Sequence, residues 1–364
     1  MKFQDEYRDR GLVQGLAAAI ADKARQLPEP VRLMEVCGTH TMAIAQFGLK
    51  SLLPEQVKLV SGPGCPVCVT PVSYIDHAIA LSSLPDTVIT TFGDLLRVPG
   101  SHSSLMVERA KGADIRIVYS ALDAARLATE LPEKQVIFLG VGFETTTPTV
   151  AAAILAAEQQ RCNNFSVLTS HKTMPGPMQA LSADPELKIR GYLCPAHVST
   201  VIGSDAYLPL AEQFGIPCVV TGFEPADVLQ GVLMLVRQCR TGQARVENQY
   251  SRAVTRQGNA KAQELIRNVF EPADAVWRGL GVLPGSGLVL RKSYAAFDAA
   301  RRFLVELPDS SEPAGCRCGE VLTGRIAPAD CPLFGTVCSP ETPVGACMVS
   351  SEGSCAAAWR YGMQ

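Results

Sequence analysis

Eight short runs rich in β-branched residues recur between residues 31 and 221, with stretches of helical periodicity between them. They occupy residues 31–36, 57–60, 87–91, 115–119, 135–139, 165–169, 191–194 and 217–221. Successive runs start roughly 25 to 30 residues apart, which is the length of a strand, a crossover helix and two loops. The spacing therefore predicts parallel β-sheets with helical crossovers, arranged as two similar four-stranded α/β lobes facing a central cleft.

The domain boundaries follow from this pattern. Residues 30–122 are assigned to the first α/β lobe and residues 123–241 to the second. An amphipathic helix over about residues 6–27 precedes the lobes, and helical stretches over residues 259–269 and 294–304 follow them. We expect residues 1–29 to pack with residues 242–364 as a third, mostly helical domain with a cysteine-rich end.

Composition limits the class of protein. The 33 basic and 35 acidic residues leave a net charge of −2. No basic stripe is present, which argues against a nucleic-acid partner. The longest apolar runs fall far short of the roughly 20 residues that span a membrane, so we expect a cytoplasmic protein. In that compartment, 13 cysteines indicate metal binding or redox chemistry rather than structural disulfides.

The cysteines concentrate near the end of the chain. Four of them are Cys318, Cys331, Cys338 and Cys355, and Cys316 and Cys347 lie close by. Thiolates at fixed intervals, two of them near prolines, suit an iron–sulfur cluster held by four sulfurs. A zinc ion that only stabilises the fold is the alternative reading of the same segment.

A C-x-x-C pair follows the second predicted strand. Cys65 and Cys68 lie on a glycine-rich turn between a strand and a helix, where a helix N-terminus lowers a thiol pKa. Such a pair can cycle between dithiol and disulfide. Half of a zinc site is the alternative, with Cys37 and His40 as the other two ligands.

Cys37 and His40 form a second motif, Cys-Gly-Thr-His, directly after the first predicted strand. The pair offers one soft sulfur and one imidazole to a first-row metal, or a thiolate with its own proton acceptor. A cysteine near a histidine can also be incidental.

Polar residues follow several other predicted strands, notably Asp94, Glu144 and His197. Ligands of open parallel sheets bind beyond the carboxyl ends of the strands, so we expect these side chains to face the shared cleft. Two of these residues also have a purely structural alternative role. Glu144 could cap the helix that follows it, and His197 could satisfy a loop hydrogen bond.

Several long motifs together resemble one family. They are residues 34–40 (MEVCGTH), 62–68 (GPGCPVC), 142–146 (GFETT), 197–199 (HVS), the segments 97–100, 246–250 and 277–281, and the cysteine-rich end. This combination resembles the HypD hydrogenase-maturation family from the first residues to the last. The resemblance implies a scaffold on which the Fe(CN)2CO group of [NiFe]-hydrogenase is assembled. Its implied partners are a small HypC-type chaperone that shares the iron and a HypE-type protein that delivers cyanide.

The resemblance also implies residue roles. Cys37 would ligate the iron, Cys65 and Cys68 would form the redox-active pair, and the site would be lined by His40, His197, Asp94 and Glu144. A [4Fe-4S] cluster would be held by Cys318, Cys331, Cys338 and Cys355, although either Cys316 or Cys318 could be the first ligand. The resemblance leaves open whether the protein turns over as an enzyme. The rival function is an iron–sulfur-dependent thiol/disulfide oxidoreductase.

Overall fold

A computed structural model describes residues 5–362, which form two β-sheets flanked by helices. The strands are β1 (Val31–Glu35), β2 (Val57–Ser61), β3 (Thr87–Thr91), β4 (Asp114–Ile117), β5 (Gln135–Gly142), β6 (Phe165–Lys172), β7 (Ile189–Pro195), β8 (Cys218–Thr221), β9 (Val246–Asn248), β10 (Phe270–Trp277) and β11 (Gly281–Leu290).

The helices alternate with the strands along most of the chain. The α-helices are α1 (Arg10–Ala24), α2 (Gly38–Gln46), α3 (Pro66–Val69), α4 (Val72–Ser82), α5 (Leu105–Ala110), α6 (Ala121–Glu130), α7 (Thr147–Gln159), α8 (Pro175–Ser182), α9 (Ala196–Ile202), α10 (Leu208–Phe214), α11 (Pro225–Thr241), α12 (Ala260–Val269), α13 (Ala299–Arg302), α14 (Cys318–Leu322), α15 (Ala346–Val349) and α16 (Ser354–Tyr361). Short 3₁₀ helices occupy Asp5–Arg8, Leu49–Leu52, Gly93–Arg97, Ser204–Tyr207, Lys292–Phe297 and Pro328–Asp330.

The α/β class is confirmed, and each of the eight predicted runs overlaps one of the strands β1 to β8. The first sheet has the order β2-β1-β7-β8-β9 with all strands parallel. The second has the order β10-β11-β6-β5-β3-β4 and is parallel from β6 to β4.

The expected assignment of consecutive strands to each sheet is wrong. Strands β1 and β2 pair with β7 and β8, so the chain leaves the first sheet after β2 and returns to it at β7. Met34 of β1, for example, lies between Val60 and Tyr192. Strand spacing reveals crossovers but carries no information about which strands become neighbours. The boundaries drawn at residues 122 and 123 therefore cut through the second sheet.

The N-terminal helix α1 belongs to the first sheet. Asp9 caps it by accepting the Leu12 amide N–H at 2.7 Å. Its buried residues Ile20 and Ala24 join the core that contains Leu229 and Val232 of α11. The expected packing of this helix with the C-terminal region is thus corrected, because its apolar stripe is covered by α11.

The hairpin β10–β11 was not predicted. It extends the second sheet because β11 pairs antiparallel with β6, Gly287 opposite Lys172. Trp277, at the end of β10, is 1% exposed and donates its indole N–H to the Ser286 hydroxyl at 2.8 Å. The prolines and glycines of this segment are residues that normally argue against strands, which explains the omission.

The cysteine-rich C-terminal segment packs on the turns that follow β1 and β2. Helix α16 contacts α2, and α15 contacts α3. The segment therefore lies over the loops in which the sequence motifs are found.

Among residues 5–362, no helix has both the length and the apolar character needed to cross a bilayer.

A buried histidine in the second sheet predicts acid sensitivity. His171 of β6 is 1% exposed, lies 5.3 Å from the Phe270 ring, and has no hydrogen-bond partner at either ring nitrogen. Burial lowers its pKa to about 3, so the unfolded chain binds the proton more readily than the folded one. The neutral ring's contribution is complete above about pH 6.5 and is lost as the pH falls toward 3.

We expect wild-type protein to lose about 2 kcal/mol of unfolding free energy from this residue between pH 7.5 and pH 5. Urea unfolding of wild type and His171→Leu at both pH values measures the effect. The difference between the two proteins isolates His171 from the buried carboxyl groups, which act with the opposite sign. Equal pH dependence in both proteins would contradict the assignment.

Candidate metal and thiol site

The turn after β1 is built around a buried carboxyl group. Glu35 accepts the Cys37 amide N–H at 3.0 Å and the Thr41 hydroxyl at 2.6 Å. Burial raises the pKa of Glu35 to about 7. Because these bonds join the end of β1 to the first turn of α2, they fix the backbone that carries Cys37.

The turn after β2 lies directly against this backbone. The Gly38 amide N–H donates to the Gly64 carbonyl at 3.0 Å. A Cβ atom on Gly64 would lie 2.1 Å from the Cys37 amide nitrogen, which is far too close for two atoms that are not bonded to each other. Glycine at position 64 therefore lets Cys37 and Cys65 lie on touching turns.

Cys37 is buried, with 6% of its surface exposed. Burial raises the pKa of its thiol to about 12, and the carboxylates of Glu352 and Glu35 act in the same direction. The amide N–H of His40, one turn into α2, opposes them. A bound cation would reverse this balance, because a metal ion requires the thiolate form of cysteine.

His40 is fully buried and fixed in one tautomer. Its Nε2 lies 3.1 Å from the Thr221 carbonyl and 3.0 Å from the Gly222 carbonyl, so this nitrogen carries the proton and donates. Its Nδ1 has no hydrogen-bond partner. Burial lowers the pKa of His40 to about 4. The residue thus offers a free lone pair inside the protein.

Phe223 contacts both of the histidines predicted for the site. Its ring lies 4.9 Å from the His40 ring and 4.3 Å from the His197 ring. His197 is on the first turn of α9 and is exposed, whereas His40 is buried. Both histidines therefore pack against one aromatic side chain.

Glu352 completes the group and was missed by the sequence analysis. Its carboxylate accepts the Thr39 hydroxyl at 2.8 Å, and its side chain packs on Gly38. Its charge also acts on Cys37 and His197. A single glutamate 313 positions from Thr39 has no local motif that would reveal this contact.

Asp94 is connected to this group indirectly. The Ser350 hydroxyl donates to Asp94 at 3.0 Å and accepts the Glu352 amide N–H at 3.3 Å. Asp94 therefore helps to position the segment that carries Glu352.

Glu144 lies in a different environment. It accepts the Met174 amide N–H at 2.9 Å, and its other carboxyl oxygen is buried without a partner. Burial raises its pKa to about 7. The alternative role as a helix cap is not what is observed, since α7 begins after Thr146 without a side-chain cap.

The C-x-x-C pair forms the start of α3. Cys65 is the N-cap residue, and its sulfur accepts the Cys68 amide N–H at 3.2 Å. Both side chains are buried. Burial raises the pKa of Cys68 well above its ordinary value, which overrides the lowering expected from a helix N-terminus.

A row of thiols leads from this pair into the C-terminal segment. The Cys68 sulfur interacts with Cys347, whose sulfur lies 2.8 Å from that of Cys318. Cys318 in turn interacts with Cys316. All 13 cysteines are free thiols. Cys316 and Cys347, which lie close to the four cysteines of the implied cluster in the sequence, are thus part of the row.

Comparison with known proteins finds relatives that match this chain over its whole length. The family model described as "Hydrogenase formation hypA family", HypD, matches residues 11–362. The chain belongs to the HypD family. It is 51% identical to hydrogenase maturation factor HypD of Rhizobium leguminosarum bv. viciae, over 100% of this chain and 96% of the relative. The corresponding proteins of Azotobacter vinelandii and Escherichia coli K12 are 49% and 47% identical, over 100% of this chain and 98% and 99% of theirs. The resemblance seen in the sequence is confirmed.

In this HypD chain the predicted residues separate into groups. The charge of Glu352 acts on Cys37 and His197, and the Phe223 ring packs against His40 and His197. Asp94 is linked to the Glu352 segment through Ser350. The contacts of Glu144 are instead with the connection between β6 and α8.

The remaining HypD cysteines lie in the same C-terminal segment. Cys331 and Cys338 flank a tight loop closed by a bridge between Phe334 and Cys338, and Cys355 is on the first turn of α16. Within residues 5–362, no three His, Cys, Asp or Glu side chains converge as a formed metal site. The donor set itself, several buried thiols on short helices and loops, suits an iron–sulfur cluster.

Proposed function

We propose that this HypD family member is a scaffold on which the Fe(CN)2CO unit of [NiFe]-hydrogenase is assembled, with the iron held by the Cys37 sulfur. The observation that carries the proposal is the position of Cys37, where the turns after β1 and β2 touch. A thiolate is a soft donor that suits low-spin Fe(II) and leaves positions for diatomic ligands. The iron unit is the cargo of the protein.

The surrounding residues support this role. Iron binding must displace the Cys37 proton, and the charge of the metal offsets the carboxylate charges of Glu352 and Glu35 that disfavour the thiolate. Glu35 and Gly64 hold the sulfur at the junction of the two turns. His197 lies on the more exposed side, where a partner protein can reach the cargo.

The row of thiols supports a reducing role beside the iron. A Cys65–Cys68 disulfide is reset when Cys347 attacks the Cys68 sulfur and releases the Cys65 thiol. Cys318 then attacks Cys347 and releases the Cys68 thiol. Two electrons and two protons pass to the C-x-x-C pair, and a Cys318–Cys347 disulfide remains.

A resident [4Fe-4S] cluster completes the proposal. Cys331, Cys338 and Cys355 would hold it, and the contact of Cys318 with Cys347 favours Cys316 over Cys318 as the fourth ligand. When bound, such a cluster stores and passes single electrons.

The proposed partners are a HypC-type chaperone that shares the iron and a HypE-type cyanide donor. Free thiols throughout the chain fit a cytoplasmic location. The thiol row is also what favours the second candidate function, a thiol/disulfide oxidoreductase. That function would reduce an added protein disulfide with no diatomic ligand bound.

Infrared spectroscopy tests the proposal. The protein is purified without oxygen together with its small partner, from cells that make a [NiFe]-hydrogenase. We expect bands of metal-bound cyanide and carbonyl that disappear in Cys37→Ala. The control is Cys194→Ala, because Cys194 is also a buried cysteine but lies on β7. This variant should keep both bands. Bands that persist in Cys37→Ala would refute the assignment of the iron ligand.

A further inference from the structure

One buried arginine is not explained by the roles above. Arg278 follows Trp277, and its side chain is 1% exposed. Its amide N–H donates to the Val69 carbonyl at 2.9 Å, and its Nε donates to the Thr70 carbonyl at 3.0 Å. These carbonyls end α3, the helix that begins with the C-x-x-C pair. Arg278 is therefore anchored to the redox-active turn.

The backbone next to the same arginine lies against the C-terminal segment that carries the cysteines. A Cβ atom on the next residue, Gly279, would lie 2.5 Å from the Gly319 Cα, so the two backbones touch beside Cys318. Gly319 directly follows Cys318 at the start of α14, so this contact brings the chain at Arg278 to the helix that carries Cys318. Arg278 thus bridges the two ends of the thiol row.

The Arg278 guanidinium has a hydrogen-bond donor that is not used. Its Nη1 donates to Glu312 at 2.9 Å, but the Glu312 side chain is 51% exposed and shares its charge with solvent. Its Nη2 is buried and has no hydrogen-bond partner. Burying an unpaired charged donor is costly, which points to an anionic partner at this position.

We propose that Arg278 is a positioning residue for the sulfur centre of the C-terminal segment, and that its free Nη2 donates to anionic sulfur at Cys316 or Cys318. The inference rests on the proposed function, because it concerns the centre that supplies electrons to the C-x-x-C pair. A fixed positive charge stabilises the state that carries one more electron, so it raises the reduction potential of the centre. The centre takes up one electron from an added low-potential reductant, and no bond forms or breaks.

A dye-mediated redox titration of the visible absorbance of the full-length protein tests this. In Arg278→Gln we expect the equilibrium constant for reduction to fall at least tenfold, which is about 59 mV to more negative potential for a one-electron couple. Arg278→Lys, which keeps the charge, should restore most of the loss. Arg302→Gln is the matched control, because Arg302 also donates to backbone carbonyls, those of Phe165 and Asn163, but on the second sheet.

A second variant keeps the test decisive if Arg278→Gln fails to fold. Glu312→Gln removes a half-exposed negative charge beside the guanidinium, and we expect the potential to shift in the opposite direction by a few-fold in the same constant. Unchanged potentials in both Arg278→Gln and Glu312→Gln, with a reducible centre in wild type, would overturn this inference alone. A wild-type protein without a reducible centre would overturn the proposed electron supply as well.

Discussion

Cys68→Ser is expected to reduce hydrogenase maturation roughly 100-fold or more while leaving the absorbance of an iron–sulfur centre intact. The loss is large because the two cysteines of the pair react as a unit, so removing one of them disables both. Cys68 is the residue through which the C-x-x-C pair reaches the rest of the thiol row, since its sulfur interacts with both Cys65 and Cys347. Serine occupies nearly the same volume but cannot form a disulfide. The measurement is hydrogenase activity in a strain whose own copy is deleted, together with the visible spectrum of the purified variant.

The matched control for this prediction is Cys162→Ser. Cys162 is also buried, and its sulfur lies 3.2 Å from the Asn164 side-chain oxygen, where a serine hydroxyl can donate equally well. It belongs to the core of the second sheet, apart from the thiol row. Full maturation by Cys68→Ser would refute the reducing role of the pair, whereas equal loss in both variants would indicate a general sensitivity to cysteine replacement.

Strands β1 to β8 could be predicted because their signal is local. A run such as residues 135–139 shows its character within a few positions, and β5 indeed covers Gln135–Gly142. Sheet membership is decided by contacts between distant segments, as when Met34 pairs with Tyr192. Nothing within either segment specifies that choice, which is why strands β1 to β8 were found but their division between the two sheets was not.

The site divides in the same way. Cys37, His40, Cys65 and Cys68 stand in motifs of unusual composition at strand ends, so residue chemistry alone singled them out. Glu352 is an ordinary glutamate until the C-terminal segment folds back over the Cys37 turn. A residue such as Glu352 joins the site only through tertiary contacts, so the local sequence does not reveal its role.

Arg278 and Cys347 show how far residue identity can mislead. The arginine resembles any surface charge in the sequence, yet it is buried against the end of α3. Cys347 looked surplus because a four-sulfur cluster needs only four of the six C-terminal cysteines. The sequence did hold one signal of this role. Six cysteines minus four cluster ligands leave two thiols in one segment, and two such thiols can form a second redox pair.

Gly64→Ala is expected to remove the iron-bound cyanide and carbonyl bands and to destabilise the fold by about 1–3 kcal/mol or more. The added Cβ would lie 2.1 Å from the Cys37 amide nitrogen and 2.4 Å from the Val36 carbonyl carbon. Both are backbone atoms, so no side chain can rotate away. The turn that carries Cys65 must therefore move off the turn that carries Cys37, and the junction that positions the cargo opens.

A matched glycine separates this steric effect from the general cost of replacing glycine. Gly93 also follows a strand, and a Cβ there would approach nothing closer than the Ile117 side chain at 4.0 Å. Neither Gly64 nor Gly93 has a positive φ, so alanine is compatible with the backbone at both positions. Urea unfolding and infrared spectra of the two variants should then differ sharply. If Gly64→Ala keeps its bands and matches Gly93→Ala in stability, contact between the turns after β1 and β2 is not what holds the sulfur of Cys37 in place.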